Sequence, residues 1–171
     1  IREENEKLAA RTHPLLGPGT LNVGVIHGGV QVNFVPDECA IEIDRRLLPG
    51  ERVADVLAHH ERMLARLRAQ IPGFDAIQEE PMLADEALET PADSPIALTA
   101  SRVLSAMGLD GTPVGVPYGS DASKLSRRGV PSIIFGPGSI DQAHAAVEWV
   151  DCDQVVQAAA FIQNFLMEFH V

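Results

Sequence analysis

Long apolar runs are missing from this sequence. No stretch approaches the roughly 20 consecutive apolar residues that a membrane helix requires, so no span and no membrane partner are expected. The basic start and apolar core of a secretory signal are missing too. The chain opens at Ile1 rather than at methionine, and a further portion upstream is expected. Cysteine is scarce: Cys39 and Cys152 lie far apart and make no C-x-x-C metal or redox pattern. Both stand in mainly apolar surroundings, so buried free thiols and a cytoplasmic home are expected. Basic residues are outnumbered, with 13 Lys plus Arg against 24 Asp plus Glu and a formal net charge of -11. Such a chain repels phosphate backbones, so nucleic acid is excluded from the expected partners. No internal repeat or low-complexity tract stands out.

What remains is the composition of a globular protein: 171 residues, 46% apolar and 22% charged, enough for one ordinary domain or two small ones. Residues 1–11, IREENEKLAAR, read as the tail of a helix without a start signal, broken by the prolines and glycines of HPLLGPG. TLNVGVIHG (20–28) is a strand rich in β-branched residues. CAIEIDRRL (39–47) alternates apolar and charged positions, the pattern of a strand with one covered face. Between them GVQVNFVPDE carries a turn at Pro36 and Asp37. The longest helix signal is PGERVADVLAHHERMLARLRAQIPG, with Val53, Val56, Leu57, Met63, Leu64 and Leu67 on one stripe and Pro72-Gly73 as its stop. FDAIQEEPML (74–83) is a weaker strand. The order predicts an α+β layer: an antiparallel sheet with helices on one face, a ferredoxin-like unit short of its first strand.

A domain boundary is expected near Leu83, dividing the chain into 1–82 and 83–171. Beyond it, Asp93 or Ser94 caps a helix with Pro95 at its first position, running to Met107. PVGV then reads as a short strand, SDASKLSRRG as a short helix, VPSIIFG as a buried strand and DCDQVVQAAAFIQNFLMEF as a closing amphipathic helix. Short strands alternating with helices point to an α/β layer.

Chemistry is sought where this layer meets its loops, since open α/β sheets form sites beyond the carboxyl ends of strands. The strand VPSIIFG runs into Gly136-Pro137-Gly138-Ser139, a turn whose glycines allow backbone N–H groups to approach a ligand closely. His144 follows among alanines. On its own it is either a hydrogen-bonded structural residue or a metal ligand. Ser120 and Asp121 open the short helix, as caps or as donors aimed at the same cleft. Arg46 ends an alternating strand, where arginine is either a solvated, salt-bridged residue or a carboxylate clamp.

The stretch GVIHGGVQVNFVPDECAIEIDRRLLPGE resembles the lid, or dimerisation, domain of the dinuclear zinc deacylases and aminopeptidases. That family includes acetylornithine deacetylase, succinyl-diaminopimelate desuccinylase, aminoacylase and carboxypeptidase G. Its lid motifs, N-x-x-P-D/E and D-x-R-x-x-P-G, correspond to Asn33, Pro36 and Asp37 and to Asp44, Arg46, Pro49 and Gly50. YGSDASKLSRRGVPSIIFGPGSIDQAHAAVEWV resembles its closing segment, with G-T/S-D-A, G-x-P, G-P-G and A-H-x-x-x-E in order; the acetylornithine deacetylase branch is nearest through GPGSIDQAH. The resemblance implies a lid at 1–82 and the carboxyl-side part of an α/β zinc-hydrolase domain at 83–171. It implies that His144 is a zinc ligand whose other ring nitrogen is held by an orienting partner; Glu148, a helical turn on, is that partner or a structural cap. Asn33 and Arg46 would reach a substrate carboxylate or carbonyl, from their own or a partner subunit's lid. Gly136, Pro137, Gly138 and Ser139 would line the pocket floor. His27 matches no catalytic position and is read as structural.

The implied cofactor is zinc, two ions in the complete enzyme, with cobalt or manganese as substitutes. The implied substrate is an N-acyl amino acid or a dipeptide, and the implied partners are a second copy through the lid and an N-terminal catalytic portion. The family's H-x-D segment, bridging aspartate, paired glutamates with the general base, and further carboxylate ligand all precede the lid, and none has a counterpart here. A catalytic zinc takes about three protein ligands, so this chain alone is expected to be inactive, with no catalytic residue of its own. Either it is the carboxyl-side portion of a zinc amidohydrolase or it is a non-catalytic association module.

Overall fold

The computed structural model describes residues 1–143 and 145–170. They divide into two compact units: Ile1–Ala87 with Gly115–Gly119, and Leu88–Val114 with Ser120–Val171. Among the described residues, no helix is long and apolar enough to cross a membrane.

In the first unit the order is α1 (Arg2–Ala9), the short strands β1 (Thr12–His13) and β2 (Gly17–Pro18), then β3 (Thr20–Gly28), β4 (Cys39–Arg46) and α2 (Val53–Gln70). β1 pairs with β2, and β3 with β4, both antiparallel. The β3–β4 register runs from Thr20 opposite Arg46 to Gly28 opposite Cys39, with one irregularity between Val23 and Val25. Gly24 sits in that irregularity, where an extra residue leaves the ladder and increases the local twist. The β-branched residues of both strands favour this pleated backbone.

Helix α1 docks on β3 through Asn5. Its amide nitrogen donates to the Leu21 carbonyl at 2.9 Å, and its oxygen accepts the Leu21 N–H at 3.2 Å. One side chain thus satisfies both backbone groups of a strand residue, as a ladder partner would. Leu8 and Leu21 are buried at this contact. Glu4 is buried as well, with Oε1 3.0 Å from His59 Nε2 on α2 and Oε2 3.5 Å from Lys7 Nζ. Burial pushes the Glu4 carboxyl up, but His59 and Lys7 outweigh it and hold Glu4 below its ordinary value of 4.5. Burial, together with the charges of His59 and Arg45, pushes His60 below its ordinary 6.5 against the opposing pull of Glu4.

Several sequence expectations are corrected here. Residues 74–83 form no strand. Pro81 cannot donate to a ladder, and the segment is tied to α2 instead. The Arg68 guanidinium donates to the Ala76 carbonyl, from Nε at 3.0 Å, and Gln78 Nε2 donates to the Leu57 carbonyl at 3.3 Å. The β3–β4 sheet therefore stays two-stranded, and its expected covered face is half open, with Ile41 46% and Ile43 43% exposed. Helix α2 has no fully buried residue. Residues 113–116 are not a strand either: Gly115 lies so close to Leu15 that an added Cβ would stand 2.5 Å from the Leu15 carbonyl oxygen.

The second unit holds α3 (Pro95–Ala106), α4 (Ala122–Ser126), a 3-10 turn at Ile140–Gln142 and α5 (Cys152–Glu168). Ser94 caps α3 by accepting the Ala97 N–H, with Pro95 in the first turn; proline there loses no hydrogen bond. Asp151 caps α5 by accepting the Asp153 N–H at 2.8 Å. α3 packs on α5 around Ala100, Val103 and Phe161, with Leu104, Met107, Ile133 and Phe165 at the edge. Phe135 stacks on Phe161 at 4.0 Å between ring centroids. Residues 130–136, expected as a buried strand, have no ladder partner among the described residues and stay irregular, with Ile134 and Phe135 partly exposed. A parallel strand exists only beside another. Cys39 and Cys152, expected buried, are both exposed, since each begins its element at the surface.

The two shifted groups set the acid response of the first unit. Glu4, lowered in the fold, contributes stability that is full above 4.5 and lost as pH falls through its depressed value. His60, also lowered, resists protonation in the fold, so its contribution is lost as pH falls below 6.5. Thermal melts should drop in midpoint from neutral pH downward, and Glu4→Gln should flatten the part of the curve below 4.5. A Glu4→Gln curve parallel to the wild type throughout would remove Glu4 from this account.

Candidate functional site

Two adjacent arginines on β4 take opposite roles because successive strand residues face opposite ways. Arg45 turns inward. Its Nη2 donates to Glu51 Oε1 at 2.8 Å and to Oε2 at 3.0 Å, and its Nη1 donates to the Arg46 carbonyl. Glu51 also accepts from Arg11 Nη1 at 2.9 Å and from the Leu48 N–H at 2.8 Å. With side-chain exposures of 9% and 6%, Arg45 and Glu51 form a buried pair whose charges are mutually satisfied.

Arg46 turns outward, sharing a face with Asp44. Its Nε donates to Asp44 Oδ2 at 2.9 Å and its Nη1 to the Pro117 carbonyl at 3.4 Å, while both side chains remain more than half exposed. Pro117 lies in the 115–119 segment that joins the first unit. A guanidinium carries five N–H donors in a plane, so this arrangement leaves donors on its outer edge. Of the readings open for Arg46, salt-bridged and carboxylate-binding, the structure contains the first and leaves room for the second.

Asn33 lies in the turn closed by the Phe34 N–H donating to the Gln31 carbonyl at 3.1 Å. Asparagine favours such positions because its side chain bonds locally. Gly28, Gly29, Val30, Val32, Phe34 and Pro36 line an open groove around this turn. Gly29 has a φ of 77° and approaches Pro36 closely, which only glycine tolerates without strain. Asn33 stands at the loop end of the hairpin and Arg46 at the opposite end of β4. Seven strand steps separate Cys39 from Arg46, about 23 Å of extended chain, so one chain does not bring Asn33 and Arg46 together.

In the second unit, Gly136, Pro137, Gly138 and Ser139 form an exposed turn. Gly138 has a φ of 89°, and its N–H donates to Gln154 Oε1 at 2.8 Å. That donor is engaged with α5 and not offered outward. Ser139 Oγ accepts the Asp141 N–H at 3.3 Å and so caps the 3-10 turn. Ser120 Oγ accepts the Ala122 N–H at 3.2 Å, the local bond expected of a serine that opens a helix. Asp121 pairs with Lys124 at 2.8 Å, and that hydrogen bond and charge hold its carboxyl below the usual range. His144, the expected metal ligand, lies outside the described residues. Among the described residues, no group of three or more His, Cys, Asp or Glu could hold a metal ion.

Asp44 enters the sequence reading only through its motif, and Glu51, Arg11 and Asn5 carry no role there. The alternation of Asp44, Arg45 and Arg46 was visible and separates the inward arginine from the outward one. The convergence of Arg11 and Glu51 depends on folding across 40 residues of sequence and carries no local signal.

Comparison with known proteins follows the same lines. Residues 2–71 match the peptidase dimerisation domain family. The chain is 31% identical over 153 residues to acetylornithine deacetylase of Myxococcus xanthus, covering 88% of this chain and 38% of that protein. It is 30% identical over 174 residues to N-formyl-4-amino-5-aminomethyl-2-methylpyrimidine deformylase of Bacillus subtilis (strain 168), covering 93% and 41%. The crystal structure of aminopeptidase PepT from Bacillus cereus has the same fold, with a TM-score of 0.66 and 20% identity, covering 95% of this chain and 44% of that one. The chain thus spans 38% to 41% of the length of these curated relatives.

The two arginines should separate in a stability measurement. Arg45→Ala leaves Glu51 buried with fewer partners and should lower unfolding free energy by about 2 kcal/mol or more. Arg46→Ala removes an exposed pair and should change it by less than about 0.5 kcal/mol. Urea unfolding of the two variants reads the difference, and equal losses would contradict the inward and outward assignment.

Proposed function

We propose that the chain is the carboxyl-side portion of a zinc-dependent amidohydrolase, since residues 2–71 match the peptidase dimerisation domain family and the chain is similar along most of its length to a deacetylase and a deformylase. The reaction is removal of an N-acyl group from an amino acid, or cleavage of a small peptide, giving a carboxylate and an amine. The single observation that carries this reading is the outward Arg46, held by Asp44 at 2.9 Å with donors to spare.

Arg46 would grip the substrate carboxylate through two parallel N–H bonds, the geometry for which a planar guanidinium is suited. Asn33 would hydrogen-bond a substrate carbonyl or carboxylate. Their separation in one hairpin means that at most one of them reaches a given amino-acid-sized molecule within one chain. The other would serve the site of a second copy. Gly136 to Ser139 would line the floor, shaping it with the turn that Gln154 and Ser139 hold. His144 would be one zinc ligand of this chain, with the remaining ligands and the general base outside it. A zinc ion so held supplies a Lewis acid for the acyl carbonyl and activates water.

In the protein that carries this chain together with the rest of its catalytic portion, His144→Ala should lower zinc content and abolish release of amine from N-acyl amino acids. Unchanged metal content and turnover in that variant would overturn the assignment.

A second reading, association without chemistry, draws on the lid alone. Ile26, Val30, Val32, Phe34 and Val35 are exposed on β3 and its loop, and a two-stranded sheet leaves strand edges that invite pairing. Under either reading the lid pairs with a second copy. Sedimentation over a range of concentrations should show a monomer–dimer equilibrium, and a strictly monomeric chain would count against pairing through the lid.

A further inference from the structure

We propose that Asp44 is a positioning residue that selects which edge of Arg46 meets the substrate and thereby tunes preference for a free carboxylate. The inference rests on the reading of Arg46 as a carboxylate clamp and goes beyond it. Arg46 is long, exposed and at the end of a strand, where an unrestrained guanidinium samples many directions. Asp44 stands two residues earlier on the same face of β4 and accepts the Nε–H at 2.9 Å. The Pro117 carbonyl, at 3.4 Å from Nη1, gives the group a second fixed point. Among the described residues Nη2 has no partner, so the Nη1–Nη2 edge is the one left open.

Charge reinforces the geometry. A carboxylate approaching along the Nε side meets the like charge of Asp44, whereas one approaching the outer edge meets the two Nη donors, only one of which is shared, through a long bond to the neutral Pro117 carbonyl. Asp44 therefore acts twice, by fixing the plane of the guanidinium and by closing its other flank. Neither effect adds a contact to substrate, so Asp44 works through Arg46 and not on the reacting atoms.

The test compares kcat/KM for an N-acyl amino acid with that for its carboxamide in the complete enzyme, for the wild type, Arg46→Ala, Asp44→Ala and Asp44→Asn. Asp44→Ala should cut the carboxylate-to-carboxamide ratio about fivefold, the size of an exposed pair that orders one side chain, with the change in KM rather than kcat. Asp44→Asn keeps an oxygen acceptor for the Nε–H and should recover much of the ratio, which a merely structural loss would not do. Arg46→Ala should cut the ratio further, and Asp44→Ala added to Arg46→Ala should do nothing more. If Arg46→Ala lowers the ratio but neither Asp44 variant does, positioning by Asp44 is wrong and the clamp stands. If Arg46→Ala leaves the ratio unchanged, the clamp reading fails and takes this proposal with it. Should Asp44→Ala not fold, the Asp44→Asn ratio at high and low salt decides: a ratio equal to wild type at both would overturn the contribution of charge.

Discussion

The carboxylate of Glu51 organises the first unit. It takes two bonds from Arg45, one from Arg11 and one from the Leu48 N–H, and so ties the end of β4, the start of the β1–β2 region and the turn into α2 to one buried point. A buried charge is tolerated only when its partners are complete, and losing one is expensive because the remainder stays desolvated. Once Arg45 is committed inward, strand alternation leaves Arg46 no choice but to face out beside Asp44. The chemistry proposed for Arg46 is thus a consequence of a structural pair on the opposite face.

The same unit shows how little apolar burial it has to rely on. Its sheet has two strands, Ile41 and Ile43 are partly exposed, and α2 buries no residue fully. Polar clamps take up part of that role: Asn5 on the backbone of Leu21, Glu4 beside His59, and Arg68 on the Ala76 carbonyl. Exposed apolar side chains recur on α5, where Val156, Leu166 and Met167 face outward from the contact with α3.

Much of this fold was legible in the sequence where local signals were strong. The helices at Val53–Gln70, Pro95–Ala106 and Cys152–Glu168 follow from apolar periodicity and from their capping and stop residues, Ser94, Asp151 and Pro72-Gly73. The β3–β4 hairpin follows from alternation and β-branched content. The failures share a cause. Residues 74–83 and 130–136 have strand-like composition, but a strand is a relation between segments, and no partner for either exists among the described residues. The separation of Asn33 from Arg46 depends on the hairpin register, which a motif comparison does not carry. The cysteines misled because apolar neighbours in sequence do not ensure burial at the first residue of an element.

Under the function proposed above, this chain would supply only part of a zinc centre. Titration of zinc into the 171-residue chain alone tests it most directly. The proposal predicts no tight, stoichiometric binding, because a catalytic zinc takes about three protein ligands and His144 is the one proposed in this chain. Tight binding of one or two zinc ions by this chain by itself would contradict the account and place a complete ligand set within it.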